Sequence, residues 1–220
     1  MAVLHLCRDR LDCAIYVDTG FAYPETRALV AYAGTLLPVH IVYSDRAGQN
    51  EREGLPADVV PIDWTRFGQQ ISGAKDVTVQ SYLGCCFENV MRPAWEKAKA
   101  LGVTHLYLGQ RSAEKRRAPV LSGAQIDGIT RVHPIEDWSD ERVFAFLAKH
   151  MEVPEHFRIR HSSLDCYDCT AYRDESSDRV AWTQERHPEF YATYASRNDA
   201  LDSALQSALD NARNFGRTVH

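Results

Sequence analysis

The chain has 220 residues, a net charge of −5, and hydrophobic and charged fractions of 45% and 25%. That length can bury one sizeable core of ordinary globular composition, and the acidic balance gives no indication of a nucleic-acid or anionic-membrane surface. No run approaches the roughly 18 apolar residues of a membrane span, and the first residues are too few and too charged for a secretory signal. Six cysteines without such a signal predict a reducing cytoplasm, where thiols serve as ligands or catalysts rather than staples.

In chain order, short apolar runs alternate with helical patterns. Strands are predicted at 14–20, 39–44, 58–63 and 104–111, with helices at 26–37 and 87–101. The stretch 47–58 reads as a polar surface loop. Residues 132–139 lead into a helix that Ser139 can cap, with Val143, Phe146 and Leu147 on its apolar face. From 176 onward the chain reads as polar helix, with Leu201, Leu205 and Leu209 spaced by four. The alternation predicts an α/β domain on a mostly parallel sheet. Trp138, Phe144 and Phe146 read as core, and Cys7 and Cys13 as packing residues. His156, His161 and His187 read as surface histidines in polar loops; His161 stands out only because Arg158 and Arg160 flank it before Cys166.

In such sheets ligands sit at the carboxyl ends of the strands, so the residues after each run matter most. Asp18, Thr19 and Gly20 close the first strand with a carboxylate, a hydroxyl and a turn glycine, ahead of a helix start at Tyr23–Thr26. Gly109, Gln110 and Arg111 close another, followed by the basic stretch 112–117. Helix N-termini and convergent arginines hold phosphates and sulfates. Each segment alone reads as a capped turn or a solvated loop; together, at two strand ends, they favour an anion site.

Two cysteine clusters carry the strongest signal: Cys85-Cys86 after Gly84, and Cys166-x-x-Cys169. A CxxC lets two sulfurs converge on one centre, and thiolates are what soft iron–sulfur or zinc sites demand. An adjacent pair needs a turn or helix start to bring both sulfurs to one side, which Gly84 permits. Spacing alone leaves two readings open: a joint metal site, or a buried structural cysteine beside a redox CxxC.

Taken in order, DTGFAYPET (18–26), GQRSAEKRR (109–117), HPIEDWSDERVFAFL (133–147) and LDCYDCT (164–170) resemble the phosphoadenylyl-sulfate (PAPS) reductase family. The resemblance covers about residues 2–172 and implies a Rossmann-like adenine-nucleotide alpha-hydrolase fold, with 173–220 as a helical extension packed on it. It implies nucleotide contacts from Asp18, Thr19 and Gly20, with Gly109, Gln110 and Arg111 on ribose or phosphates. Cys85, Cys86, Cys166 and Cys169, with Thr170, are similar to the adenylyl-sulfate reductase branch, whose four cysteines bind a [4Fe–4S] cluster beside the phosphosulfate. Zinc is the alternative.

Three departures shape the expectation. The family's pyrophosphate loop, Ser-Gly-Gly-Lys-Asp-Ser, is expected upstream of the 14–20 strand, and this chain starts on what resembles the helix after it. The first strand is therefore expected to be missing, as though reading began at an internal methionine. Ser72-Gly73-Ala74-Lys75-Asp76 is no substitute and reads as a surface turn. The family's nucleophilic cysteine lies in a C-terminal segment, and no cysteine follows Cys169 here. Val90 stands where the cluster-bearing branch places a lysine near the sulfate; Arg92 could compensate, although the resemblance expects it at the position of Pro93.

The expected function is that of a PAPS reductase-family enzyme acting on adenylyl sulfate, PAPS or ATP in sulfur metabolism or sulfur transfer. The alternative is a non-catalytic nucleotide- or cluster-binding relative. Expected partners are the nucleotide, a thiol reductant such as thioredoxin, and a second copy of the chain.

Overall fold

The structure is a computed structural model that describes residues 1–114, 120–160, 163, 164 and 166–214. It is a mixed α/β chain with small parallel sheets and a helical C-terminal tail. Two compact units interleave along it: Met1–Val17, Pro24–Val42 and Arg92–Ile159 form one, and Asp18–Tyr23, Tyr43–Met91 and Arg160–His220 the other.

The first unit begins with α1 (Ala2–Leu6) and carries β1 (Ala14–Asp18), α2 (Pro24–Leu36) and β2 (Val39–Tyr43), the strand tips passing into the second unit. β1 and β2 pair, start to start and end to end: the Ala14 N–H reaches the Pro38 carbonyl at 2.8 Å and the Ser44 N–H the Asp18 carbonyl at 3.1 Å. α6 (Arg92–Ala100) then leads to β5 (His105–Tyr107), which lies parallel to β7 (Ile129–Val132), while β6 (Gln125–Ile126) folds back antiparallel on β7. Asp127, at φ +48°, and Gly128, at φ +80°, are the two left-handed residues of that hairpin turn. α7 (Asp140–Leu147) starts where Ser139 accepts the Arg142 N–H at 3.3 Å, and Val143, Phe146 and Leu147 pack with Ala2, Ile135 and Trp138 as expected. α8 (Glu155–Arg160) completes the unit's helices and corrects one expectation, because His156 is 2% exposed rather than a surface residue.

The second unit is built on β3 (Leu55–Ala57) and β4 (Val79–Ser81), a parallel pair whose apolar face takes Trp64 together with Leu201 and Ala204 from the last helix. Two expectations fail here. The polar stretch 47–58 is not a loop: α3 (Arg46–Glu53) starts where Asp45 accepts the Gly48 N–H at 3.0 Å and stops at Gly54, φ +94°. Its inward residues Gln49 and Asn50 meet the Gln80 side chain through amide hydrogen bonds, so it carries no apolar period to read. The 58–63 strand is instead β3, three residues earlier, and Ile62–Trp64 make a 3-10 turn. Asp58 leaves the sheet to accept the N–H groups of Tyr172 and Arg173, both at 3.1 Å, and Pro61 has no N–H to give a ladder.

α4 (Arg66–Ser72) ends at Gly73, φ +89°, and the 72–74 turn is exposed as expected. The helix predicted at 87–101 begins earlier: α5 (Tyr82–Cys86) is capped by Ser81 and widens into a π-helical turn at Phe87–Met91 before α6. Pro93 cannot donate to the preceding turn, and a π turn is a usual way to absorb that missing bond. α9 (Ser177–Arg186) and the 27-residue α10 (Pro188–Asn214) form the tail.

Candidate functional site

The thiol site lies within the second unit. Cys166 and Cys169 close one turn, the Cys169 N–H bonding to the Cys166 carbonyl at 3.2 Å, and Cys166 forms an antiparallel bridge with Ala22 just after the Asp18–Gly20 turn. That turn is built locally: the Gly20 N–H reaches Asp18 Oδ1 at 2.8 Å, and Gly20 adopts φ +82°, which few other residues tolerate. The buried Thr19 hydroxyl sits 3.3 Å from Cys166 Sγ. Two of the sequence-predicted elements, a strand-end turn and the CxxC, are therefore one structural piece.

Arg46, the first residue of α3, stands at its centre and was missed by sequence because it lies between the strand predicted at 39–44 and the stretch 47–58 read as a loop. It is 2% exposed and donates from Nη1 to Asp168 Oδ1 at 2.5 Å, while the Phe21 ring lies 4.8 Å from its guanidinium carbon. Burial works to lower its pKa, but Cys166, Asp168, Cys85 and Cys169 around it override that and hold it firmly protonated. Asp168, inside the CxxC, is fully buried, and its other oxygen lies 3.5 Å from Arg197 Nη1. Arg179 donates to the carbonyls of Cys166 and Cys169 at 3.2 and 3.1 Å.

Cys85 faces a buried amide cage. Its Sγ is 3.6 Å from Asn50 Oδ1 and 3.8 Å from Asn89 Nδ2, and Asn89 also donates to the Cys85 carbonyl at 2.9 Å. Cys86 turns to the Tyr172 hydroxyl at 3.3 Å. Burial pushes the Cys166 thiol up to about 12, against the opposing pull of Arg46 and Thr19, and burial raises Cys169 as well. All six cysteines are free, and among the described residues no three of His, Cys, Asp and Glu are arranged as a closed metal-binding group. The structure thus brings Cys85, Cys166 and Cys169 into the field of one guanidinium and sends the Cys86 sulfur to Tyr172.

Do these residues fit a thiolate-bound centre? The donor set is four soft thiols, and among the described residues Arg46 Nη2 and Arg197 Nε and Nη2 have no hydrogen-bond partner. Among the described residues, Arg46, Arg179 and Arg197 stand around the single carboxylate of Asp168. Four thiolates on a divalent core carry about two negative charges, a sign that suits those cations. The residues fit.

The other predicted contacts belong to the first unit. Gly109, Gln110 and Arg111 follow β5, whose parallel neighbour is β7. Arg111 is held by two carboxylates, Asp140 at 2.5 Å and Glu114 at 3.3 Å, so a ligand anion there would have to compete with both. Ser112 anchors the turn through its N–H and hydroxyl, both 2.8 Å from the Glu136 carbonyl. The basic positions 115–117, His161 and the Arg160 side chain lie outside the described residues.

The fold and site define a class of mixed α/β chains in which a strand-end turn is joined to a cluster of thiols and buried arginine. Within that class the family is fixed by sequence: residues 1–172 match the phosphoadenosine phosphosulfate reductase domain, and the chain belongs to that family. It is 28% identical over 158 residues to a phosphoadenosine 5'-phosphosulfate reductase of Alkalilimnicola ehrlichii, a match covering 70% of this chain and 58% of that relative's length. It is also similar to the crystal structure of a phosphoadenylyl-sulfate (PAPS) reductase from Candida auris in complex with phosphate, at 19% identity and a TM-score of 0.48, over 75% of this chain and 74% of that one.

Proposed function

We propose that this chain is a cytoplasmic enzyme of sulfur metabolism that acts on an adenylyl nucleotide, adenylyl sulfate or PAPS before ATP, and holds a [4Fe–4S] cluster on Cys85, Cys86, Cys166 and Cys169. The observation that carries the reading is the joining of the Asp18–Gly20 turn to the CxxC, with Thr19 Oγ1 3.3 Å from Cys166 Sγ. A nucleotide seated at that strand end would lie against the thiols.

Asp18, Thr19 and Gly20 would orient the nucleotide through a carboxylate, a hydroxyl and a backbone that approaches closely. Arg111 would bind a ribose phosphate or phosphosulfate oxygen once released by Asp140 or Glu114. A bound cluster would supply an electron-accepting centre and a fixed charge next to the sulfur oxyanion. Thr19 would hold a proton or a hydrogen bond at Cys166, and Arg46 with Asp168 would keep the local charge constant. Electrons for sulfate reduction would come from an external dithiol such as thioredoxin. A second copy of the chain is a further expected partner.

Anaerobic purification with iron, sulfide and zinc determination tests the metal, and titration with adenylyl sulfate, PAPS and ATP tests the substrate class. We expect iron and sulfide in near-equal amounts and tightest binding of an adenylyl sulfate. Arg111→Ala should weaken that binding about tenfold to a hundredfold, the loss of one charged hydrogen bond of about 1.5–3 kcal/mol. Unchanged affinity in the folded variant removes Arg111 from the site. Zinc without sulfide replaces the cluster by a thiolate zinc site.

A further inference from the structure

The short helix α4 is built inside out. Gly68 and Gln69 form its inner side: Gly68 lies so close to the Ile62–Trp64 turn that a Cβ there would stand 1.9 Å from the Ile62 carbonyl oxygen. The Gln69 amide donates to the Trp64 carbonyl at 3.2 Å and the Thr78 hydroxyl at 3.0 Å. Its outer side carries Phe67 and Ile71, one turn apart and 69% and 77% exposed, next to the turn whose Ile62 is 78% exposed. A helix that only closes a core shows the reverse pattern, with its apolar residues inward. The arrangement is held firmly, because the Thr65 hydroxyl donates to the Ile62 carbonyl at 2.7 Å and accepts the Gly68 N–H at 2.9 Å. Exposed apolar residues scattered singly need no explanation, but here three of the most exposed large ones among the described residues fall within ten positions.

We propose that the face formed by Ile62, Phe67 and Ile71 is the contact between two copies of this chain, paired about a two-fold axis with their α4 helices antiparallel. Area is the first reason. At these exposures the three side chains offer on the order of 400 Å² of apolar surface, the size at which such a patch marks an interaction site. A complex of standard size buries about 800 Å² on each side, a little over half of it apolar, so the patch supplies nearly the whole apolar share of one side. In a two-fold contact the same patch serves both sides, and it must then be complementary to itself. Antiparallel pairing sets Phe67 of each copy against Ile71 of the other. It also sets unlike charges opposite one another, because Arg66 opens α4 and Asp76 follows its end. Arg66 is tied to Glu53 at 2.7 Å, and its guanidinium has further donors for that contact.

The test is sedimentation equilibrium of the full chain from about 1 to 100 µM, the range in which the weaker complexes of standard size dissociate. A thiol reductant is present, so that none of the free cysteines links one copy to another. The parent is compared with Phe67→Asp, Ile71→Asp and a control, Leu121→Asp, a position 70% exposed in the other unit. The parent and the control are expected to dimerise alike. In each α4 variant the dissociation constant should rise about a hundredfold or more, since a two-fold contact meets the introduced charge on both sides. Circular dichroism and urea midpoints should stay near the parent's, both positions being exposed in the single chain. Should one α4 variant fail to fold, the other carries the comparison. A parent chain that is monomeric over the whole range overturns the proposal, whatever else binds that face. Folded α4 variants that dimerise as the parent does overturn it too, because the dimer then uses another surface.

Discussion

At the scale of single residues, the thiols differ sharply in their surroundings although the sequence presents them as two equivalent pairs. Cys166 is the most informative. Burial raises its pKa from an ordinary 9.0 to about 12, so its proton is held more tightly in the folded chain than in the unfolded one. A group shifted in that direction contributes stability that is fully present below pH 9.0 and lost as pH climbs to about 12. Metal-free protein should therefore lose thermal stability across that window, less steeply in Cys166→Ser. In the same metal-free protein, iodoacetamide at pH 8 should label Cys166 far more slowly than free cysteine, with the difference abolished in urea, as peptide mass spectrometry would show. Fast labelling in the native chain would mean that the thiol is not enclosed as the structure has it.

At the scale of elements, the tail shows which part of a helical pattern matters. Leu201, Leu205 and Leu209 follow one spacing, yet Leu201 is 0% exposed against β3 and β4 while Leu209 is 52% exposed. Leu201→Ala removes buried volume from a core of Ala57, Trp64 and Val79 and should cost about 2–5 kcal/mol. Leu209→Ala should fall within about 0.5 kcal/mol. Urea denaturation separates the two, and equal effects would show that the inner end of α10 is not a core helix. The element that sequence reading lost, α3, explains itself the same way: it is held by Asp45 at its start and by amide side chains on its inner face, and neither leaves an apolar period. With it went Arg46.

At the scale of the whole molecule, ligand binding and folding are linked. An adenylyl sulfate at 100 times its dissociation constant should stabilise the chain by about 2.7 kcal/mol. For a chain of this size that moves the calorimetric midpoint by about 5–10 °C. Because the chain divides into two interleaved units, the shape of the trace also carries information. One transition that moves as a whole marks units that unfold together; two transitions of which one moves assign the ligand to that unit. A midpoint indifferent to every adenylyl nucleotide would count against the proposed substrate class.

Sequence by itself determined the α/β alternation, the strand-end turn at Asp18–Gly20, the Ser139 cap, the apolar face of α7 and the family, because each is written in local spacing or in an ordered set of motifs. It also singled out the four cysteines as candidate ligands. What surrounds those cysteines was decided only in three dimensions. Arg46 is 122 positions from Asp168 and Thr19 is 147 positions from Cys166, and no local pattern encodes partners so far apart. The 58–63 strand failed for the related reason that two of its apolar letters, Val59 and Ile62, face solvent while Val60 alone packs on the core, and Asp58 was drawn away to bind backbone N–H groups more than a hundred residues downstream. Local periodicity specifies which elements can form; burial and long-range polar pairing decide which of them do, and what charge stands beside the thiols.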